Sequence, residues 1–320
     1  MKKVVIVGPG GLGGTVAALL AHRGLCDVTI VGRPGAHIDA IRQNGLRLGG
    51  REEFTVELNA VDDAQNIQTC DALIFATKAQ DTPAALEKTA HIEVDDFVAS
   101  LQNGTIKDDL LANAFSREKV IGAVAIVAGE RPGPGAVNWT YDGGTQFGEL
   151  DGSSSARVDY VVDLFQQSGF IAEATDAILS ATWSKMVGWV PIGLFATLAR
   201  KTNADILSNR RLATEYVGMV RELSALAATK GIALADLGPY HIEAWNRGTV
   251  EEAVELVMSS PLAGSQSTHS AFQDIQKGLA TEFSACVGPM LEDAGENGVA
   301  ATAVQVMYAA LLGLEETLGK

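Results

Sequence analysis

The chain has 320 residues, 47% of them apolar and only 20% charged, which is enough for two domains with sizeable cores and too apolar for disorder. A formal net charge of −15 with no basic run argues against DNA, RNA or another polyanion as partner, and the acidity serves solubility. Cys26, Cys70 and Cys286 are too few and too widely spaced for a disulfide framework or a zinc knuckle, and the five histidines show no HxxxH or HxH spacing, so no metal site is expected.

The first half alternates between short apolar runs and helical stretches. Val4–Val7 reads as a buried strand, too short and too lightly flanked for a signal-peptide core, and Thr15–Arg23 as a helix. Val28–Val31 is a second strand, followed by a helix at His37–Asn44 closed by Gly45. Leu73–Ala76, Phe97–Leu101 and Val120–Val127 are further strands, with helices near Pro83–Thr89 and Lys107–Ala114. Such alternation implies an α/β domain with a doubly wound, mostly parallel sheet covered on both faces. The Pro- and Gly-rich stretch Glu130–Gly144 breaks the pattern and reads as turns, with a hairpin pairing Val137–Thr140 with Thr145–Gly148. A helix at Ser154–Gln167 and a strand at Phe170–Ala174 close this half. Beyond Asp176 strand signals fade. Amphipathic runs at Ala177–Leu198, Asn209–Lys230, Thr249–Met258, Ala271–Val287 and Ala300–Leu314 imply an all-helical second domain, giving domains at 1–176 and 177–320. No apolar run is long enough, free of charge and glycine, to cross a membrane, and the scarce cysteines suit a reducing, cytoplasmic setting.

Gly8-Pro9-Gly10-Gly11-Leu12-Gly13 fits G-x-G-x-x-G between a strand and a helix, the context in which the motif signifies a dinucleotide and not merely a tight turn. Gly8 permits the turn, Gly10 lets backbone approach a pyrophosphate, Gly13 lets helix and strand pack, and the N–H groups of Gly11 and its neighbours face the phosphates. An NAD site carries an acidic residue at the end of the second strand. Here that place holds Gly32-Arg33, so Arg33 is expected to meet a 2′-phosphate, with Gly32 leaving room, and NADPH is expected over NADH. Lys78, just past the Leu73–Ala76 strand, is either a second cation for the cofactor or a solvated loop lysine.

With these motifs the chain resembles the ketopantoate reductase (2-dehydropantoate 2-reductase) family of 2-oxo acid reductases over nearly its whole length. The resemblance rests on GPGGLG, Arg33, Lys78, LQNG at 101–104, VIGAVAIVAGERPGPG through FGELDG, WSK at 183–185 and SAFQDIQKGLATE at 270–282. It implies NADPH-dependent reduction of a 2-oxo acid in a cleft between a Rossmann domain and a helical domain. It also implies residue roles. Asn103 meets the nicotinamide and substrate, and Lys185 is the catalytic lysine. Ser270 and Asn203 bind substrate, and Glu282 is the active-site glutamate. Without the resemblance, Lys185 reads as either a snorkelling lysine or a functional one, Glu282 as a solvated helix residue, Ser270 as a cap before Ala271, and Trp189 as core. His269 reads as bland, or as a residue lining the cleft beside Ser270, and His241 and Trp245 as part of a surface helix or lid.

The family places asparagines four and eight residues after the lysine. Here those places hold Trp189 and Gly193, on the same helix face as Lys185 in a run interrupted by Pro191. Two amides are replaced by an indole and a bare backbone, so the substrate is expected to be more apolar or bulkier than ketopantoate. Reducing a ketone builds charge on the carbonyl oxygen. Lys185, its ammonium pKa lowered by burial and tuned by Glu282, would supply the neutralising proton. Two alternatives stand: ketopantoate reductase proper, acting in pantothenate synthesis, and a non-catalytic NADP(H)-binding redox sensor. A small-molecule substrate is the expected partner, and the helical domain offers surfaces for a homodimer.

Overall fold

Val4 to Val7 are almost inaccessible to solvent, as a strand covered on both faces requires. In the computed structural model, which describes residues 1–318, they form β1 (Lys3–Val7) within the first of two compact units, Met1–Ile178. Further strands are β2 (Asp27–Val31), β3 (Leu46–Gly50), β4 (Phe54–Val56), β5 (Asn59–Val61), β6 (Thr69–Phe75), β7 (Glu93–Ser100), β8 (Val120–Gly133), β9 (Ala136–Glu149) and β10 (Ala172–Ala174). They make one sheet in the order β4-β3-β9-β8-β7-β6-β1-β2-β5, with β10 added beside β9. Only β3–β4 and β8–β9 pair antiparallel. The helices of this unit are α1 (Gly11–His22), α2 (Ala36–Asn44), α3 (Thr82–Thr89), α4 (Lys107–Phe115) and α5 (Ala156–Ser168). The doubly wound, mostly parallel sheet expected from the alternation is therefore present.

Three short strands, β3 to β5, escape the sequence reading because they are only three to five residues long, and β3 and β5 join the sheet through the sequence-distant strands β9 and β2. The expected small hairpin is also corrected. Ala136–Glu149 is a single 14-residue strand paired with all of β8, and the turn lies at Pro134-Gly135. Gly143 and Gly144 do not turn the chain. They face Ile126 as a bulge, with Gly144 at φ +98°, so the strand bends and continues.

The second unit begins at Leu179 and is helical. Its elements are α6 (Ile178–Ala199), α7 (Asn203–Leu207), α8 (Arg210–Thr229), α9 (Ile242–Trp245), α10 (Val250–Met258), α11 (Ser270–Gln276), α12 (Phe283–Cys286), α13 (Gly288–Glu296) and α14 (Thr302–Glu315). Pro191 does not interrupt α6, which runs through it. The single helix expected over Ala271–Val287 is two. Gly278 at φ +70° ends α11, with Leu279 N–H returning to the Asp274 carbonyl, and the chain restarts as α12. Trp245 belongs to the core and not to a surface helix or lid: it is fully buried edge-on to Tyr216, with centroids 5.6 Å apart. Among the described residues no helix is long and apolar enough to cross a membrane.

Candidate active site

In the first unit the expected cofactor residues share one edge of the sheet. The glycine turn follows β1, Arg33 follows β2, Lys78 follows β6 and Asn103 follows β7, each past the carboxyl end of a parallel strand. The strand order reverses at β1, flanked by β2 and β6, and ligands of open α/β sheets bind outside such a switch point. Gly8 sits at φ +97°, where an added Cβ would lie 2.6 Å from Thr77 N, and a Cβ on Gly13 would lie 2.2 Å from the Gly8 carbonyl oxygen. Gly10 has nothing within 4 Å on its Cβ side and caps α1 with no side-chain bond. The N–H groups of the first turn thus have neither an intrahelical acceptor nor a cap, an arrangement that fits a pyrophosphate. Leu12 packs its side chain against the core and offers the turn only its backbone.

Gly11 has a second task. A Cβ there would lie 2.0 Å from the Gly129 carbonyl oxygen, so β8 rests backbone-to-backbone on the start of α1; likewise Gly14 faces Val137 of β9 at 2.7 Å. Gly11→Ala should therefore destabilise this unit by about 3 kcal/mol in denaturant unfolding, at the upper end of typical overpacking costs, because backbone on both sides must move. A cost below about 1 kcal/mol would show that the approach relaxes freely.

The Arg33 side chain is 81% exposed, with Nη1 3.7 Å from Asp81 Oδ1. The role expected for Gly32 is corrected. A Cβ there would lie 2.5 Å from Ile38 Cδ1 and 3.1 Å from Pro9 Cγ, so its missing side chain accommodates α2 and the glycine turn, not a ligand. Lys78 and Asn103 are half-buried on loops joined by a residue the sequence reading passed over. Buried Gln102 donates from Nε2 to Thr77 Oγ1 and Thr82 Oγ1, both at 2.7 Å, while its Oε1 accepts from Ser100 Oγ at 2.8 Å. It clamps the loop after β6 to the loop after β7. The sequence signal for it is LQNG itself, in which Gln102 stands beside Asn103.

In the second unit Lys185 lies on α6 at 9% exposure, beside Ser184, whose Oγ accepts from Ala235 N–H at 2.9 Å and ties the helix to the chain after α8. One and two turns further on, Trp189 and Gly193 meet the same two rings. The Trp189 indole stacks on Phe283 (5.1 Å, 14°) and tilts against His269 (4.6 Å). A Cβ on Gly193 would lie 2.4 Å from His269 Cε1 and 2.6 Å from Phe283 Cζ. This aromatic cluster adjoins each expected reacting residue: His269 precedes Ser270, Phe283 follows Glu282, and Trp189 is one turn from Lys185. His269 is not bland. It is buried and, in place of Ser270, caps α11, its Nδ1 accepting from Ala271 N–H at 3.2 Å, which puts the ring proton of the neutral form on Nε2. Ser270 is the first helical residue. Glu282 is buried at the N-terminal boundary of α12, not solvated along a helix. Asn203 opens α7, donates to Ser267 Oγ at 3.3 Å, and leaves its buried Oδ1 without a hydrogen-bond partner among the described residues. The sequence reading gives Phe283 no role and leaves His269 between packing and the cleft wall, because a lone histidine before a helix and a phenylalanine within one read as packing.

Burial pushes the Cys26 and Cys70 thiols up to about 12, out of nucleophilic range at neutral pH. Lys107 and Asp108 form a buried pair at 2.7 Å, and burial raises the Asp108 carboxyl despite its partner. Among the described residues no three His, Cys, Asp or Glu side chains converge as metal ligands.

The family profile described as "Ketopantoate reductase PanE/ApbA" matches residues 4–152, and its companion "Ketopantoate reductase PanE/ApbA C terminal" matches residues 177–315. Similar curated proteins include the 2-dehydropantoate 2-reductases of Pyrococcus horikoshii, 28% identical over 99% of this chain and 98% of the relative, and of Pyrococcus abyssi, 26% identical over 99% of each. The fold is shared with a PanE/ApbA family ketopantoate reductase from Ralstonia eutropha JMP134 (TM-score 0.84, 23% identity, 99% and 100% of the two chains). It is also shared with D-mandelate dehydrogenase in a ternary structure with NADH and anilino(oxo)acetate (TM-score 0.86, 20% identity, 99% and 100%). With both of its halves matched by the family's own profiles, the chain belongs to the ketopantoate reductase family, oxidoreductases that act on CH–OH groups.

Proposed function

We propose that the protein reduces a 2-oxo acid to the 2-hydroxy acid with NADPH, and that the acid's side chain is more apolar or bulkier than that of ketopantoate. The observation that carries the substrate reading is the Trp189–His269–Phe283 cluster, packed where the two family amides would otherwise stand. An apolar wall without amides loses no hydrogen bond when the substrate lacks a hydroxyl. Arg33, exposed at the end of β2 where an NAD site carries a carboxylate, supports NADPH over NADH.

The bound dinucleotide supplies the hydride. Asn103 orients the nicotinamide and substrate at the carboxyl edge of the sheet. Lys185 hands a proton from Nζ to the carbonyl oxygen as charge grows there, and Glu282 sets the electrostatics of that lysine. Ser270 and Asn203 hold the substrate's polar end. Residues 1–176 are the dinucleotide-binding domain in this reading, and residues 177–320 the substrate domain, which is also the surface for a homodimer.

The test is initial rates of dinucleotide oxidation with ketopantoate, 2-oxoisovalerate, 2-oxoisocaproate, phenylpyruvate and benzoylformate, each with NADPH and NADH. We expect kcat/KM for the best apolar or aromatic acid to exceed that for ketopantoate by about tenfold or more, with NADPH preferred. A comparable preference for ketopantoate would make this a ketopantoate reductase in the strict sense, and NADH preference would remove Arg33 from cofactor choice.

A further inference from the structure

The stretch ERPGPG, conspicuous in the sequence, is the tip of the β8–β9 hairpin, and it has no part in the chemistry above. One side chain joins this tip to the glycine turn. His37, the second residue of α2, places Nε2 2.8 Å from the Pro9 carbonyl oxygen, while its Nδ1 lies 3.0 Å from Gly135 N. A backbone N–H only donates, so Nδ1 is the acceptor and the proton sits on Nε2, which donates to Pro9. Gly135 is buried at φ +70° with its carbonyl accepting from Arg47 N–H at 2.9 Å, so the tip is itself fixed by the sheet. Pro9 lies between Gly8 and Gly10, the residues that shape the phosphate turn.

We propose that His37 is a positioning residue for the dinucleotide: by bridging Pro9 and Gly135 it locks the glycine turn in its phosphate-receiving form and makes the hairpin tip part of the cofactor site. The inference rests on the dinucleotide reading of that turn.

Burial, more than the nearby charge of Arg131 on the tip, holds the His37 pKa below its ordinary value near 6.5, though the backbone carbonyls of Pro9 and Gly133, which favour a protonated ring, oppose the shift. Arg131 is the charged group from the hairpin that bears on the ring, the glycine turn and Gly135 present only backbone to it, and Arg33 and Asp39 flank it along its own segment. Protonation puts a hydrogen on Nδ1 and abolishes the bond from Gly135. Because the folded pKa is depressed, the contribution is whole above the unfolded value of about 6.5 and is lost as pH falls through the lower folded value.

The experiment measures NADPH affinity by fluorescence titration, without substrate, from pH 5 to pH 8 for the wild type, His37→Phe and His37→Gln. At pH 8 His37→Phe should bind about five- to tenfold more weakly, the scale of one or two lost hydrogen bonds, and His37→Gln should recover part of that loss. The variant-to-wild-type ratio should shrink toward one on acidification, because a protonated His37 no longer accepts. A role in stability alone would lower the melting temperature and leave that ratio flat. Equal affinities at pH 8, or a ratio independent of pH, would overturn the proposal. A wild type that binds neither NADPH nor NADH would overturn it together with the dinucleotide reading.

Discussion

Lys185→Ala should lower kcat by about two to four orders of magnitude, the range of a positioned general acid, while the Kd for NADPH stays within about twofold of wild type. The two readouts separate because Lys185 belongs to α6 of the helical unit, whereas the glycine turn, Arg33, Lys78 and Asn103 all belong to the sheet unit. The local helix should survive. Ser184 keeps its bond from Ala235, Trp183 and Met186 remain buried, and alanine has the higher helix propensity. Arginine should not restore turnover, because a guanidinium does not give up its proton near neutral pH and its planar fork needs other geometry. Single-turnover NADPH oxidation with the preferred 2-oxo acid, beside fluorescence titration of NADPH, makes the measurement. Undiminished turnover would remove Lys185 from the mechanism, and lost turnover with lost NADPH binding would point to misfolding.

Gly193→Asn, which restores one family amide, should destabilise the protein by about 3 kcal/mol, near the top of the usual overpacking range. Its Cβ would arrive 2.4 Å from His269 Cε1 and 2.6 Å from Phe283 Cζ, and neither ring is free to move. The imidazole is held by its bond from Ala271 N–H, and Phe283 is fully buried under the Trp189 indole. In a Trp189→Asn background the space left by the indole lets Phe283 retreat. The second substitution should then cost less by at least about 1 kcal/mol, a coupling of the size found between residues in contact. The double variant should also shift kcat/KM from apolar acids toward ketopantoate. Urea unfolding of the four proteins of the cycle and the ratio of kcat/KM for the two acids test this. Strict additivity would mean that Trp189 and Gly193 do not share a wall, and an unmoved ratio would mean that the wall does not face substrate.

The expected residues fall into two groups that differ in how local their signals are. Gly8, Gly10 and Gly13 are legible because the turn, its strand and its helix are contiguous and their spacing is a local pattern, although the backbone that crowds Gly8 belongs to Thr77 on the loop after β6. Arg33, Lys78 and Asn103 were placed by the same logic, since each lies just past an apolar run and the parallel alternation sends all such ends to one edge. Gln102 and His37 were not legible. Their partners are Thr77, Thr82, Pro9 and Gly135, up to 98 residues away, and no local pattern marks a side chain whose purpose is a distant backbone group.

By itself the sequence determined the two-part organisation, the doubly wound sheet, the helical second half and the glycine turn between β1 and α1, because hydrophobic period and glycine spacing are short-range properties. It did not determine the long β8–β9 hairpin, because a Gly-Gly pair is a turn in isolation and becomes a bulge only when the facing strand continues to pair. Nor did it determine what replaces the family amides. Helix spacing puts Trp189 and Gly193 on one face with Lys185, but it does not say what packs against that face. Only the tertiary structure supplies the rings, because His269 and Phe283 come from segments more than 70 residues further along the chain and meet α6 through packing alone.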